Sequence, residues 1–379
     1  MSAPTAIVVR EYAGIRGGLG EDQSYDENLR ECVIARRIAL ADGDLTGAAH
    51  AARGAAECCR RLGRVNEAAR QYETAAEMFR MAADTRGLAS VLFARGNLLR
   101  QTSQFSEAIK GLRRAARLAS SIRDAGLSAY VLAGIAETYR IKGDYPRAVR
   151  QHLAAHRLFR SLEDARGIVW ALEGVGQIFS NSGRPRDALR LFTKARRLAG
   201  ACGDRRGLAY AVKCEAECLA ALGHLGAAAD EAIRAVEMFE RLGLRVGLGH
   251  TVKSLGDIYR MSGNETKAQA SYRRATEVFV GMNDARGLAY TANGMAALHV
   301  ASGEGARAAV LFNSASRYFK TSGLRVGYTQ SAKGLGHLAR RQMIGAKQLL
   351  EITHAASTRS RGALARLSRG GAESAEALF

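Results

Sequence analysis

Apolar and small side chains recur along this chain in two helical patterns that follow one another. In the stretch from 247 to 279, the first pattern falls at i, i+3, i+4 and i+7: Val252, Leu255, Gly256 and Tyr259. The second pattern sets small residues beside aromatic ones at helical spacing: Ala268, Tyr272, Ala275 and Phe279. Between them stands Gly263, a residue type that helix ends favour because it readily adopts positive φ. The stretch therefore predicts a helix, a turn and a second helix, each with one packing face.

The same pair of patterns returns at intervals of 40 residues. One second-helix position is always alanine: Ala68, Ala108, Ala148, Ala188, Ala228, Ala268 and Ala308. Another is also always alanine: Ala75, Ala115, Ala155, Ala195, Ala235, Ala275 and Ala315. The turn position holds Gly63, Gly143, Gly183, Gly223, Gly263 and Gly303, with Ser103 as the exception. Small residues opposite large ones let helices approach closely. The repetition predicts one quasi-linear array of antiparallel helix pairs.

This unit resembles the tetratricopeptide repeat, which has L-G-x2-Y in its first helix, then an alanine and an aromatic in its second. The matching residues are Leu255, Gly256, Tyr259, Ala268, Tyr272 and Ala275. The resemblance covers about residues 44 to 341 and implies an all-α fold, a right-handed superhelix (α-solenoid). The unit exceeds the roughly 34 residues usual in the family, and Val280 stands where proline is common. In repeat style it is similar to Leu-Gly-Asn repeat adaptors, kinesin light chains and Rap-type peptide receptors.

The repeat pattern divides the chain into five segments. Residues 1–22 are expected to be a flexible arm, and 23–43 a capping helix in register with the second helices. Residues 44–341 hold seven full repeats and an eighth first helix. Residues 342–356 lack the alanine signature and are expected to form a divergent capping helix, since end repeats are usually atypical. Residues 357–379 mix Arg, Ser and Gly and are expected to be a disordered basic tail.

A second stripe runs along each first helix, at i, i+3, i+7 and i+10. In tetratricopeptide proteins the corresponding positions line the concave surface that holds peptides. Its first position carries rings: His50, Tyr130, Trp170, Tyr210, His250 and Tyr290. Its second carries mainly polar residues, among them Arg53, Glu173, Lys213, Lys253, Asn293 and Lys333. Its third and fourth include Glu57, Asn97, Glu137, Gln177, Glu217 and Asp257, then Arg60, Arg100, Arg140 and Arg260.

Tyr, Trp and Arg dominate binding hot spots, so the stripe predicts a partner-binding face. The alternative is that its rings wedge between adjacent repeats while its arginines and carboxylates neutralise each other. The formal charge of +20 favours acidic partners, although arginine on outer helix faces would also produce it. We therefore expect a protein or peptide partner of acidic or amphipathic character. Nucleic acid is less favoured, because the third-position carboxylates would oppose phosphates.

No motif places a catalytic set, a cofactor or a metal in this chain. Cys214 and Cys218 have the i, i+4 spacing of helical metal ligands, but the paired-cysteine knuckle is missing and buried reduced thiols explain them better. The only apolar run near the N-terminus, at residues 6–9, is too short for a signal peptide. No run approaches the roughly 18 apolar residues of a membrane span. We therefore expect a cytoplasmic protein.

These observations favour a non-catalytic scaffold or adaptor that binds a peptide segment of a partner on the concave face. A ligand-sensing or peptide-sensing regulator is the main alternative, on the similarity to the Rap-type receptors. An RNA-binding helical repeat, with rings that stack on bases, and an enzyme built on the scaffold are further alternatives.

Overall fold

A computed structural model describes residues 25–341 and 343–345, and this part of the chain contains sixteen α-helices and no strand. The first eight helices are α1 (Tyr25–Ala41), α2 (Leu45–Arg61), α3 (Val65–Met81), α4 (Thr85–Gln101), α5 (Phe105–Ser121), α6 (Ala125–Lys142), α7 (Tyr145–Ser161) and α8 (Ala165–Asn181). The others are α9 (Pro185–Ala201), α10 (Arg205–Ala221), α11 (Leu225–Arg241), α12 (Arg245–Met261), α13 (Glu265–Val280), α14 (Ala285–Ala301), α15 (Gly305–Thr321) and α16 (Arg325–Arg340).

The described residues form two compact units. One contains residues 25–218 and 238–244, and the other contains residues 219–237, 245–341 and 343–345. In the first unit, each helix from α1 to α8 packs against the one that follows it, and α2, α4, α6 and α8 also contact one another in turn. In the second unit, α12 to α16 repeat both relations. The even-numbered helices are thus the first helices of the repeats, and the all-α stack of helix pairs expected from the sequence is confirmed.

Several predicted segments lie outside the described residues. They are the arm at 1–22, the first two residues of the capping helix at 23–43, and the tail at 357–379. Of the segment at 342–356, only residues 343–345 are described, and they are not helical. In the described part of the chain, no helix is both long enough and apolar enough to cross a membrane.

A residue with positive φ ends a helix every 20 positions from Gly43 to Gly323. Glycine fills ten of these positions, and Ala83, Ser103, Arg123, Glu163 and Asn283 adopt the same conformation at the other five. Aspartate then begins many of the first helices: the Asp84 carboxylate accepts a hydrogen bond from the Gly87 amide at 2.8 Å, and Asp164 and Asp284 do the same for their helices. This turn holds each helix near 17 residues and reverses the chain.

Large side chains of the second helices fill gaps left by glycines in the first helices. Tyr272 on α13 is fully buried between Gly256 on α12 and Gly294 on α14. A Cβ atom at either glycine would lie within 2.8 Å of the tyrosine ring, closer than packed atoms allow. Leu112 on α5 occupies the corresponding gap between Gly96 and Gly134. The small residues of the first-helix pattern are therefore required by the rings and branched side chains that pack over them.

A second contact of this kind joins several repeats to the next. Phe79, Phe159, Phe279 and Phe319 are each fully buried against the glycine eight positions later. At Gly167, for example, a Cβ atom would lie 2.1 Å from the Phe159 ring. Between the second and third repeats the sizes are reversed, because Ala119 takes the phenylalanine position and Leu127 takes the glycine position.

His152 occupies the position that Tyr72, Leu112 and Tyr272 hold in other repeats. Its ring is completely buried on α7, and a Cβ atom at Gly174 on α8 would lie 2.1 Å from it. Neither ring nitrogen has a hydrogen-bond partner among the described residues. Burial, together with the positive charge of Arg140, lowers the pKa of His152 to about 4, although Glu137 acts in the opposite direction. His152 is therefore a neutral core residue.

We expect Gly167→Ala to destabilise the protein by about 1 to 3 kcal/mol, because the added methyl group would overlap the Phe159 ring. The matched control is Gly111→Ala on α5, where nothing lies within 4 Å of the added atom. That change should stabilise the helix by about 0.5 to 1 kcal/mol. Urea denaturation followed by circular dichroism measures both. Equal midpoint shifts for the two variants would contradict this account of the glycines.

We expect His152→Leu to stabilise the protein, because leucine fills the same gap at Leu112 and leaves no buried nitrogen unpaired. The folded state keeps His152 neutral below its usual pKa of 6.5, so the histidine's contribution to stability is present above pH 6.5 and lost as the pH falls towards 4. The wild type should therefore lose up to about 3 kcal/mol more than the variant across that interval. His224→Leu, at an exposed position, is the control. Parallel stability curves for wild type and His152→Leu would contradict the prediction.

Candidate partner-binding face

The first-helix stripe consists of the i, i+3, i+7 and i+10 positions named above, on the even-numbered helices α2 to α16. Within each unit, side chains on or beside it contact those of the next repeat. In the first unit, Arg60 donates to Gln101 Oε1 at 3.2 Å, and the Tyr130 and Trp170 ring centroids lie 6.0 Å apart. In the second unit, the Ser331 hydroxyl donates to Asn293 Oδ1 at 2.8 Å. Side chains on or beside the stripe therefore link neighbouring repeats at these points in each unit.

Five of its rings pack on the phenylalanine that follows 29 residues later. The pairs are His50 with Phe79, Tyr130 with Phe159, Tyr210 with Phe239, His250 with Phe279 and Tyr290 with Phe319, with centroids 4.7 to 5.0 Å apart. Tyr130 is buried, and its hydroxyl donates to Asp164 Oδ2 at 2.9 Å. Packing between repeats, the alternative left open by the sequence, is thus the role of the Tyr130 ring. The other four rings keep partial exposure.

Trp170 differs from these five rings. The residue 29 positions later is Ala199, so no phenylalanine lies beneath the indole, and its ring contact is the tilted one with Tyr130. The side chain remains partly exposed on α8. Trp170 is therefore the ring of the stripe that has no phenylalanine in its own repeat to pack against.

Acidic residues of the stripe in the first unit are paired with arginines. Glu57 accepts hydrogen bonds from Arg60 and Arg61 on its own helix and from the Tyr72 hydroxyl at 2.8 Å. Burial opposes a charge on Glu57, but the two guanidinium groups outweigh it and hold its pKa well below the usual value. Burial and the Glu57 charge raise the pKa of Tyr72, which stays a protonated donor. This cluster is a fixed internal ion pair.

The third repeat has a similar cluster. Arg140 donates to Glu137 at 2.7 Å, and Arg100 of the preceding repeat lies 3.8 Å from the same carboxylate. Arg100 also donates to Asn97 Oδ1 at 3.4 Å. Burial again opposes the charge on Glu137, and the two arginines again lower its pKa despite that burial. Asn97, Arg100, Glu137 and Arg140, which the sequence predicts to bind a partner, here contact one another.

Lysines take the place of the arginines further along the stripe. Lys213 lies 2.8 Å from Glu217 on α10, and Lys253 lies 2.6 Å from Asp257 on α12. The Tyr272 hydroxyl donates to Asp257 at 2.7 Å, which matches the contact of Tyr72 with Glu57. An acid followed by tyrosine 15 positions later is a sequence signal for this contact, and the stripe prediction missed it. The mutual neutralisation that the sequence left open is present at these pairs.

Glu173 is the exception among these acids. It stands where Lys213 and Lys253 stand in later repeats, and its i+4 neighbour is Gln177, so no ion pair forms along its helix. Its Oε1 atom is buried without a hydrogen-bond partner in the described part of the chain. Burial raises its pKa well above the usual range, and Arg206 offsets this only in part. The stripe prediction did not single out this residue.

The remaining stripe residues differ in exposure. Arg53 and Asn293 are buried, Arg260 is partly exposed on α12, and Lys333 is exposed on α16. The Nδ2 atom of Asn293 has no hydrogen-bond partner among the described residues, whereas its Oδ1 accepts from Ser331. Burial, with a smaller effect from Arg53, lowers the pKa of His50 to about 4. His50 therefore faces Phe79 as a neutral ring.

The paired cysteines Cys214 and Cys218 are both buried on α10. Burial raises the pKa of each thiol to about 12, so both are protonated and poorly nucleophilic. Gln177 donates to the Cys214 sulfur at 3.5 Å, which joins the fourth and fifth repeats. Within the described residues, no three His, Cys, Asp or Glu side chains are grouped closely enough to hold a metal ion.

Comparison with known proteins finds a family match for part of the chain. Residues 127–201 match the family described as tetratricopeptide repeat. No curated protein matches the chain at a significant level. Among solved structures, a Rap protein complexed with Competence and Sporulation Factor is similar over 92% of this chain and 99% of that one, with 16% identity and a TM-score of 0.58.

A second similar structure is a signal transduction ATPase with a tetratricopeptide repeat sensor from Pyrococcus horikoshii. The similarity covers 90% of this chain and 55% of that one, with 13% identity and a TM-score of 0.50. At these identities the likeness concerns the fold. The family match, the helix pairs and their 40-residue period agree with one another. Residues 127–201 thus match the tetratricopeptide-repeat family, and the described helices form the all-α repeat fold of these solved structures.

Proposed function

We propose that this protein is a non-catalytic interaction scaffold that holds a segment of a partner protein against the first-helix stripe. The observation that carries the proposal is that rings, amides and charged groups of successive repeats touch along the stripe, and that Arg60 and Trp170 among them stay partly exposed. Such a surface offers flat apolar contacts and fixed donors at regular intervals, which suits an extended or helical segment. The ion pairs along it are preformed, so little side-chain order is lost on binding.

The similar solved structures support this use of the fold. The Rap protein was solved as a complex with Competence and Sporulation Factor, and the ATPase contains its repeats as a sensor. We extend to this chain only the idea that the repeats hold another molecule. A sensing regulator would use the same face and differ only in its response to the bound segment.

The net charge of +20 makes an acidic or amphipathic partner the best match, because long-range attraction raises the association rate with such partners. We also propose that the protein acts in the cytoplasm. None of its six cysteines is in a disulfide, which suits a reducing compartment.

The test is a charge exchange on the stripe that keeps the ion pair. In the double variant Lys213→Glu with Glu217→Lys, the pair on α10 can re-form, so the melting temperature should stay within a few degrees. Capture of partners from lysate of the source cells, measured by quantitative mass spectrometry, should fall roughly tenfold, since the reversed charges oppose a fitted segment.

The matched control exchanges an exposed pair on a second helix, Glu107→Lys with Lys110→Glu on α5, whose ion pair spans 2.9 Å. Capture by this variant should equal that of the wild type. Capture that survives the α10 exchange, or that falls equally in both variants, would contradict binding at the stripe.

A further inference from the structure

One position of the stripe lacks the internal partner that its neighbours have. On α10 and α12 the second-position lysine forms an ion pair with an acid at i+4. On α8 that position is Glu173 and the i+4 residue is Gln177, so the local charge is reversed and uncompensated. No cation of the described residues lies within 4.0 Å of the Glu173 carboxylate, whereas Glu57, Glu137, Glu217 and Asp257 each have at least one.

Nearby cations are held by other groups. Lys213 is paired with Glu217, and the Arg206 guanidinium lies over the Tyr210 ring, 5.5 Å from its centroid. Arg140 is paired with Glu137. The Glu173 carboxyl therefore stays next to several charges without a direct donor. A partly desolvated carboxyl group that lacks a hydrogen-bond donor is strongly stabilised when a bound ligand supplies one.

Trp170 lies one turn before Glu173, on the same side of α8. Its indole is partly exposed and has no phenylalanine from its own repeat beneath it. Gln177 lies one turn after Glu173. Its amide nitrogen donates to Cys214, so its carbonyl oxygen remains an acceptor. An aromatic face, a carboxyl group and an amide oxygen thus line one surface of a single helix.

We propose that Trp170, Glu173 and Gln177 form a subsite for a basic side chain, a lysine ammonium or an arginine guanidinium, of the bound partner segment. This rests on the proposed function, because the subsite is part of the same stripe. The cation would lie over the indole face and donate to the carboxylate, an arrangement favoured where water is partly excluded. An acidic or amphipathic segment with one basic residue at this point would thereby be fixed in register.

Binding of the cation is coupled to a proton. The charged groups around Glu173 are Glu137 on α6, Asp204 just before α10, and Arg206 and Lys213 on α10. The neutral ring of His152 on α7 packs against the adjacent Gly174. Burial raises the pKa of Glu173 well above its usual value, which favours the protonated carboxyl group. A cation favours the carboxylate and displaces that proton, so affinity for the cation rises with pH.

The experiment uses Trp170 as its own reporter, because it is the single tryptophan of the chain. The full-length protein is titrated with acetyl-arginine amide, and with acetyl-citrulline amide, which has nearly the same shape without the charge, at constant ionic strength. The arginine probe should change the tryptophan emission saturably, with a dissociation constant on the order of millimolar. The citrulline probe should bind at least about tenfold more weakly.

Two variants locate the effect. Glu173→Gln should weaken the arginine probe about tenfold and remove both its advantage over citrulline and the rise in affinity with pH. The control is Glu107→Gln, which removes an exposed acid from the second helix α5. This variant should bind the probe like the wild type. Equal affinity for the two probes, or an arginine preference that survives Glu173→Gln, would overturn the subsite.

The outcome is separable from that of the proposed function. Failure of the arginine probe together with loss of partner capture in the α10 charge exchange would reject the subsite and keep the scaffold. A specific response to the probe together with unchanged capture would keep a cation site and reject the stripe as the partner-binding face. No response to the arginine probe, together with unchanged partner capture in the α10 charge exchange, would reject both the subsite and the stripe as the partner-binding face.

Discussion

Close packing of large side chains from the second helices against glycine and alanine of the first helices is the constraint on which this structure depends. Tyr272 between Gly256 and Gly294, and Phe159 against Gly167, leave no room for one more methyl group. Each such contact ties a helix pair to the next, so the repeat is set by steric fit as much as by apolar area. The sizes are exchanged at Ala119 and Leu127, and Ala199 and Gly207 are both small, so the phenylalanine–glycine contact is not made at every junction.

The same contact orders the polar surface. The tyrosine that fills the gap between first helices brings its hydroxyl to the acid of the stripe, as Tyr72 does with Glu57 and Tyr272 with Asp257. Arginine or lysine neighbours then neutralise that acid. Most of the stripe is consequently a rigid, internally paired surface, which suits a scaffold because its side chains are already in place before a partner arrives.

The third and fourth repeats depart from that order at three positions. His152 replaces the tyrosine, Glu173 replaces the lysine, and Ala199 removes the phenylalanine that would lie beneath Trp170. Each change by itself breaks a local rule without an evident gain in stability, and such places are often functional. The three residues lie on the consecutive helices α7, α8 and α9, with Gly174 of α8 against His152, so the exceptions are grouped around one part of the stripe.

The amino-acid sequence alone determined the helix pairs, their 40-residue period and the positions of the stripe, because helical spacing and turn residues are local properties repeated many times. Only the tertiary structure decided which stripe residues face one another and which face solvent. Tyr130 is packed and bonded to Asp164 while Trp170 stays open, although both are rings at the same repeat position. Glu137 is paired with Arg140 on its own helix, which the spacing does indicate, but its second cation, Arg100, comes from the preceding repeat. Such contacts depend on how helices stack in three dimensions, which no spacing along the chain encodes by itself.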